Sequence, residues 1–164
     1  MPLPSELTNS ILSLTVQGVE VDIATMHTAG VLAPIVFLHG FGSTKEDYAD
    51  VVHYPAFAGH PVIAYDAPGC GATQCDDLLK VSIPFLVATA KAVLDRLGIG
   101  RFHLVGHSMG GLTGLMLAHE ERQRVLSFTD IEGQSSCRCH SRRCSCTASR
   151  TLRYPIFPTF CIMA

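Results

Sequence analysis

Ser108 stands in Gly106-His107-Ser108-Met109-Gly110-Gly111, directly after the apolar run Phe102-His103-Leu104-Val105. A serine framed by glycines two before and two after, between a strand-like run and a helix-like one, is suited to nucleophilic attack on a carbonyl carbon. The hydroxyl must project from a tight turn, and a Cβ at either glycine would collide there. Such chemistry also needs backbone N–H groups for the developing oxyanion and a base for the serine proton. A second glycine-bearing turn, His39-Gly40-Phe41-Gly42, follows the buried-strand pattern Pro34 to Leu38 and offers an amide donor. A third, Asp66-Ala67-Pro68-Gly69-Cys70-Gly71, follows Pro61 to Tyr65. In a parallel sheet the carboxyl ends of neighbouring strands share an edge, so all three turns are expected to face one cavity.

The elements that would place these turns alternate in type. Val19 to Ala24 alternates apolar and polar residues, and Ile11 to Val16 is expected to pair with it as a hairpin across Gln17-Gly18. Thr44 to Val52 reads as a short helix capped by Ser43 or Thr44, with acidic residues near its start. Ile83, Val87, Ala90, Leu94 and Leu97 recur at helical spacing between a Ser82 cap and a Gly98 stop. Leu112 to Glu121 continues as a helix after the serine, and Val125 to Ile131 is the next parallel strand.

These three motifs, in this order and at about this spacing, resemble the α/β-hydrolase superfamily over residues 19 to 133. The resemblance implies an α/β fold, here a truncated one: a mostly parallel sheet with flanking helices, in the spatial order 1-2-4-3-5-6, followed by an irregular C-terminal tail. It also implies that Ser108 is the nucleophile, that the Phe41 and Met109 backbone amides form the oxyanion hole, and that His39 and Asp66 organise loops. Serine at the nucleophile position argues against the dehalogenase and epoxide-hydrolase branches, which use Asp. Esterase, thioesterase, peptidase, carbon–carbon hydrolase and perhydrolase branches stay open, with a small-molecule acyl substrate in each case.

The rest of the resembled triad is harder to place. The family's acid follows strand seven or, in some members, strand six, where Asp130 and Glu132 stand; Asp130 is the candidate acid, against the alternative of a carboxylate in an ordinary polar turn. The family's histidine follows strand eight, and no counterpart of strands seven and eight is expected here. Of the eight histidines, His119 lies eleven residues down the helix, about 16 Å from Ser108. His103 belongs to the strand, and His107 to the variable position of the motif. His27, His53 and His60 fall at the periphery, and only His140 comes late enough in the chain to imitate the base. Little or no activity is therefore expected, and a non-catalytic interaction remnant is the competing reading.

Of the 164 residues, 48% are hydrophobic and 16% charged, as suits one compact domain with a buried sheet. The net charge of −2 conceals a division. Residues 1–132 hold 7 Lys/Arg against 14 Asp/Glu, whereas residues 133–164 hold 5 Arg and no acid. The expected organisation is a partial hydrolase domain over 1–134 and an atypical Ser/Arg/Cys-rich tail over 135–164, read as an out-of-frame or unspliced translation. Competing readings of the tail are a metal site at Cys137, Cys139, His140, Cys144 and Cys146, and a prenylation box at Cys161-Ile162-Met163-Ala164. Cys70 and Cys75 are expected to be free thiols. With no secretory signal, membrane-spanning stretch, phosphate-binding glycine loop or basic groove in view, the expectation is a cytoplasmic protein without cofactor, resident metal or nucleic-acid partner. An open edge at the sixth strand would favour self-association.

Overall fold

A computed structural model describes residues 6–132 and the backbone of 161–163. Its first elements form a hairpin: β1 (Thr8–Val16) runs antiparallel to β2 (Val19–His27) along its whole length. The two-residue turn is dictated locally, because Gln17 and Gly18 both take positive φ, 49° and 79°, and this matches the twist of the flanking strands. Ser13 and Thr15 donate hydrogen bonds to Asp22 and Glu20 on the exposed face of the hairpin. Leu12 and Leu14 turn the other way, toward the core.

The short strands β3 (Ile35–Leu38) and β4 (Val62–Tyr65) are buried throughout, as expected of apolar runs covered on both faces. They pair in parallel with each other, and β3 pairs in parallel with β6 (Phe102–His107), which is followed in turn by β7 (Val125–Ile131). A two-residue strand, β5 (Gln74–Cys75), pairs with β2. The path across the sheet is β1-β2-β4-β3-β6-β7, continued by β8 (Cys161–Met163). With β5 set aside, this is the order 1-2-4-3-5-6 expected from the sequence.

Helix α1 (Ile83–Arg96) starts at Ser82, whose Oγ accepts from the Phe85 amide, and it ends at Gly98, where φ is 67°. It packs with α2 (Met109–Glu120) on one face of the sheet. Phe85, Val93, Leu94, Leu104, Leu117 and Phe128 form the main core there. On the opposite face a smaller cluster of Met26, Ile35, Phe37, Val62 and Ala64 is covered by Tyr48, Val52 and Phe57.

The structure departs from expectation at three places. The segment read as a short α-helix over Thr44 to Val52 is a 3-10 helix, Lys45–His53, and Thr44 makes no side-chain cap. Its first amide, which has no acceptor within the helix, donates instead to the carboxylate of Asp66. Helix α2 begins at Met109, three residues earlier than read, because the serine turn delivers the chain straight into helical geometry. Finally, β7 is not an open edge along its length, since Phe128 to Asp130 pair antiparallel with Cys161 to Met163. The candidate metal ligands Cys137, Cys139, His140, Cys144 and Cys146 lie outside the described residues, as does His140 in its role as a late base. Of the Cys161 to Ala164 box only the backbone of 161–163 is described. Among the described residues no helix is long and apolar enough to cross a membrane.

Candidate functional site

The site is built where β3, β4 and β6 end. At the end of β6 the chain reverses through Ser108, which adopts φ 51° and ψ −113°, a conformation that L-residues avoid. This kink is held on both sides. The Ser108 amide donates to the Ile131 carbonyl at the end of β7 (3.0 Å), and the Ser108 carbonyl accepts from the Gly111 and Leu112 amides of α2 (2.9 and 3.1 Å).

Glycine is required by close approach at two positions. A Cβ on Gly106 would lie 2.4 Å from the Gly110 carbonyl oxygen, and one on Gly110 would lie 2.1 Å from the Leu38 oxygen and 2.6 Å from that of His39. The start of α2 therefore rests directly on the end of β3. A Cβ on Gly40 would fall 3.3 Å from the Ser108 Cβ and 2.8 Å from His107 Nδ1, so the bend after β3 also meets the serine turn. Within that bend the Ser43 amide donates to the Gly40 carbonyl (3.2 Å), with Gly42 at φ 74°. This is the geometry of a type II turn. Phe41 sits at its tip with a side chain that is 87% exposed.

The bend after β4 joins the other two through His39 and Asp66. Buried His39 accepts from the Ala67 amide at Nε2 (2.9 Å) and donates from Nδ1 to the Gly40 carbonyl (2.7 Å), which leaves neither ring nitrogen for proton transfer. Asp66, fully buried, accepts from the Lys45 amide, the Lys45 ammonium and the Ala72 amide (2.8, 2.9 and 2.9 Å). Burial pulls the Lys45 ammonium down, but Glu46 and Asp66 together outweigh it and hold the group above its ordinary value. The Lys45 contact in turn holds the Glu46 carboxyl down at about 2.

Ser108, Phe41 and Met109 are thus brought to one rim. Met109 opens α2, where the first N–H groups have no intrahelical acceptor. Asp130 lies opposite Gly106 in the β6–β7 ladder, half-buried, on the face that carries Phe128. Near the end of β7, Glu132 Oε2 lies 3.7 Å from His107 Nε2. His103 points to the other end of the sheet region: its Nδ1 meets Ser127 Oγ (2.8 Å) and its ring packs edge-on to that of His60. Burial, followed by the nearby His60, lowers its pKa. Beneath the elbow, Leu38, Tyr65, Leu86, Met109 and Thr113 leave a cavity of about 10 Å³, room for a single water.

The chain belongs to the α/β-hydrolase fold family, whose model matches residues 33–141. Among its relatives is a protein of Variovorax paradoxus (strain S110) that bears the provisional name carbamate hydrolase RutD. It is 40% identical over 87 residues, which are 53% of this chain and 33% of that protein. The dihydrolipoyllysine-residue acetyltransferase component of the acetoin cleaving system of Pseudomonas putida is 41% identical over 103 residues, 60% of this chain and 26% of its own. Among solved structures, a Pseudomonas aeruginosa PAO1 protein described as a hydrolytic enzyme superposes with a TM-score of 0.65 at 29% identity, covering 72% of this chain and 39% of that one. A bacterial membrane phospholipase A gives a TM-score of 0.62 at 27% identity, with coverage of 76% and 40%. The chain thus spans well under half the length of each of these relatives.

The glycine motifs announced the elbow and the two neighbouring bends. The partnership of Lys45 with Asp66 escaped sequence reasoning. A lysine at the head of a polar helical segment reads as solvated, and its acceptor is 21 residues away.

Proposed function

We propose that this chain carries the nucleophile and oxyanion half of an acyl hydrolase acting on small ester or carbamate substrates. Ser108 Oγ attacks the carbonyl carbon, the carbonyl electron pair moves onto oxygen, and the Phe41 and Met109 amides hold that oxyanion. Collapse of the adduct, with the serine proton passed to the leaving oxygen or nitrogen, expels the alcohol or amine and leaves an acyl-serine for water to cleave. The observation that carries this reading is the left-handed Ser108 turn seated against Gly40. The name of the Variovorax relative supports carbamates as one substrate class.

The serine proton needs an acceptor, and His39 has both ring nitrogens engaged. Asp130 is retained as the candidate acid from its place beside the elbow strand. Turnover by this chain is expected to be low if no other histidine takes that proton, because removing the histidine base from such a triad costs on the order of 10⁶ in rate. A fluorophosphonate probe and a chromogenic short-chain ester or carbamate test the reading, with Ser108→Ala as control. Slow labelling that disappears in Ser108→Ala, with little or no turnover, is the expected result. If Ser108 stays unlabelled under prolonged exposure, the chain is a non-catalytic remnant, and turnover at the rate of complete hydrolases would mean that a base has been overlooked.

A further inference from the structure

The bend that presents Phe41 is fastened at both ends to two consecutive residues of a different bend. At its start, His39 Nε2 accepts from the Ala67 amide (2.9 Å). At its end, Lys45 gives both its amide and its ammonium to the Asp66 carboxylate (2.8 and 2.9 Å). Between these anchors run only Gly40 to Thr44, closed by the Ser43-to-Gly40 hydrogen bond (3.2 Å), with Phe41 at the solvent-facing tip. Asp66 is itself fixed. Its Oδ2 accepts from the Ala72 amide, and a Cβ on Gly71 would sit 2.2 Å from that oxygen, so the bend wraps the carboxylate without room to spare. Thr73 Oγ1 donates to the Asp66 carbonyl (2.7 Å) and accepts from the Ala24 amide (2.9 Å), tying the assembly to β2.

A lysine with a side chain only 7% exposed, paired with a carboxylate at 0%, is costly to desolvate and contributes little net stability over an apolar pair of the same shape. Its distinctive property is direction, since two hydrogen bonds from one residue to one carboxylate fix where the chain leaves the bend. We propose that Lys45 and Asp66 are a positioning pair that sets the Phe41 amide against Ser108. The proposal rests on the acyl-hydrolase reading above and adds to it the means by which the donor is held.

The test uses the full chain with Lys45→Met, Lys45→Arg and the charge-neutral double variant Lys45→Met/Asp66→Asn. Two quantities are measured: hydrogen exchange at the Ser43 amide, with β3 and β6 amides as internal reference, and the fluorophosphonate labelling rate of Ser108, split into its binding and bond-forming parts. Lys45→Met should raise Ser43 exchange about tenfold relative to the strands. It should lower the bond-forming step about tenfold, less than the 10²–10³ that follows outright loss of a donor, while leaving probe binding unchanged. Lys45→Arg should restore both. Should Lys45→Met fail to fold, the double variant, which buries no lone charge, is read in the same way. Unchanged Ser43 exchange in a folded variant overturns the proposal. So does collapse of both variants, which would make the pair a determinant of folding rather than of position. Absence of labelling in the unmodified chain would count against the acyl-hydrolase reading alone, because the exchange measurement still decides the pair.

Discussion

Substitution of Gly110 by alanine puts the convergence of β3 and α2 to a quantitative test. The new Cβ would lie 2.1 Å from the Leu38 carbonyl oxygen, whereas ordinary contact begins near 3.4 Å, so α2 or the end of β3 must retreat by more than 1 Å. Neither yields easily. Leu38 is in register with Gly106, and its carbonyl also accepts from the Tyr48 hydroxyl (3.2 Å). Forcing a methyl into such a contact costs about 1–3 kcal/mol, and the better helix propensity of alanine returns about 1 kcal/mol of that. The expected net loss is therefore about 0–2 kcal/mol, read as a lower denaturant midpoint at constant slope. The retreat also carries Ser108 and Met109 away from Gly40, and a misplacement of about 1 Å can cost about 100-fold in a step that depends on alignment. Gly100→Ala is the control, since nothing lies within 4 Å of its Cβ. If Gly110→Ala were as stable as Gly100→Ala and labelled Ser108 at the unmodified rate, the close seating of the elbow on β3 would be wrong.

Phe128→Ala should be among the most destabilising single changes, at about 3–5 kcal/mol by denaturation, because the ring is 3% exposed and fills the space left by Gly114. Ser82→Ala should cost α1 no more than about 1 kcal/mol, and toward the lower end, since its cap bond to the Phe85 amide is long at 3.4 Å. At alkaline pH the phenols of half-buried Tyr48 and buried Tyr65 should govern stability: burial, with Asp47 adding to it, pushes Tyr48 up to about 12, and burial raises Tyr65 further. The unfolded chain then loses these protons first, so stability should be intact below pH 10 and fall as the pH rises toward 12. Denaturation at stepped pH, with phenolate absorbance followed in parallel, checks this. Ionisation of Tyr48 at its ordinary value in the folded chain would refute it.

Much of the architecture was legible because it is written in local chemistry. The Gln17-Gly18 turn, the Ser82 and Gly98 boundaries of α1 and the apolar blocks of β3 and β4 each follow from residue types within a few positions. The elbow was legible for the same reason, since its glycines answer contacts with immediate neighbours and with one adjoining strand. What escaped depends on distance along the chain. The two-residue β5 is too short for any periodicity, and its pairing with β2 is decided by where the preceding bend ends. The capping of the first amide of Lys45–His53 by Asp66, rather than by Ser43 or Thr44, is announced by no pattern within the segment. The pairing of Cys161–Met163 with β7 joins residues more than thirty apart in sequence, and the Ser/Arg/Cys composition between them gives no sign of it.

The left-handed backbone of residue 108 sets stability and reactivity at odds in a way that laboratory evolution would expose. Holding a serine at φ 51° and ψ −113° costs about 1–3 kcal/mol that glycine would not incur. A library of this chain screened for heat tolerance alone should therefore drift toward glycine at that codon. The same library screened for covalent capture of a phosphonate should keep serine and gather its gains elsewhere, in helix caps and core contacts.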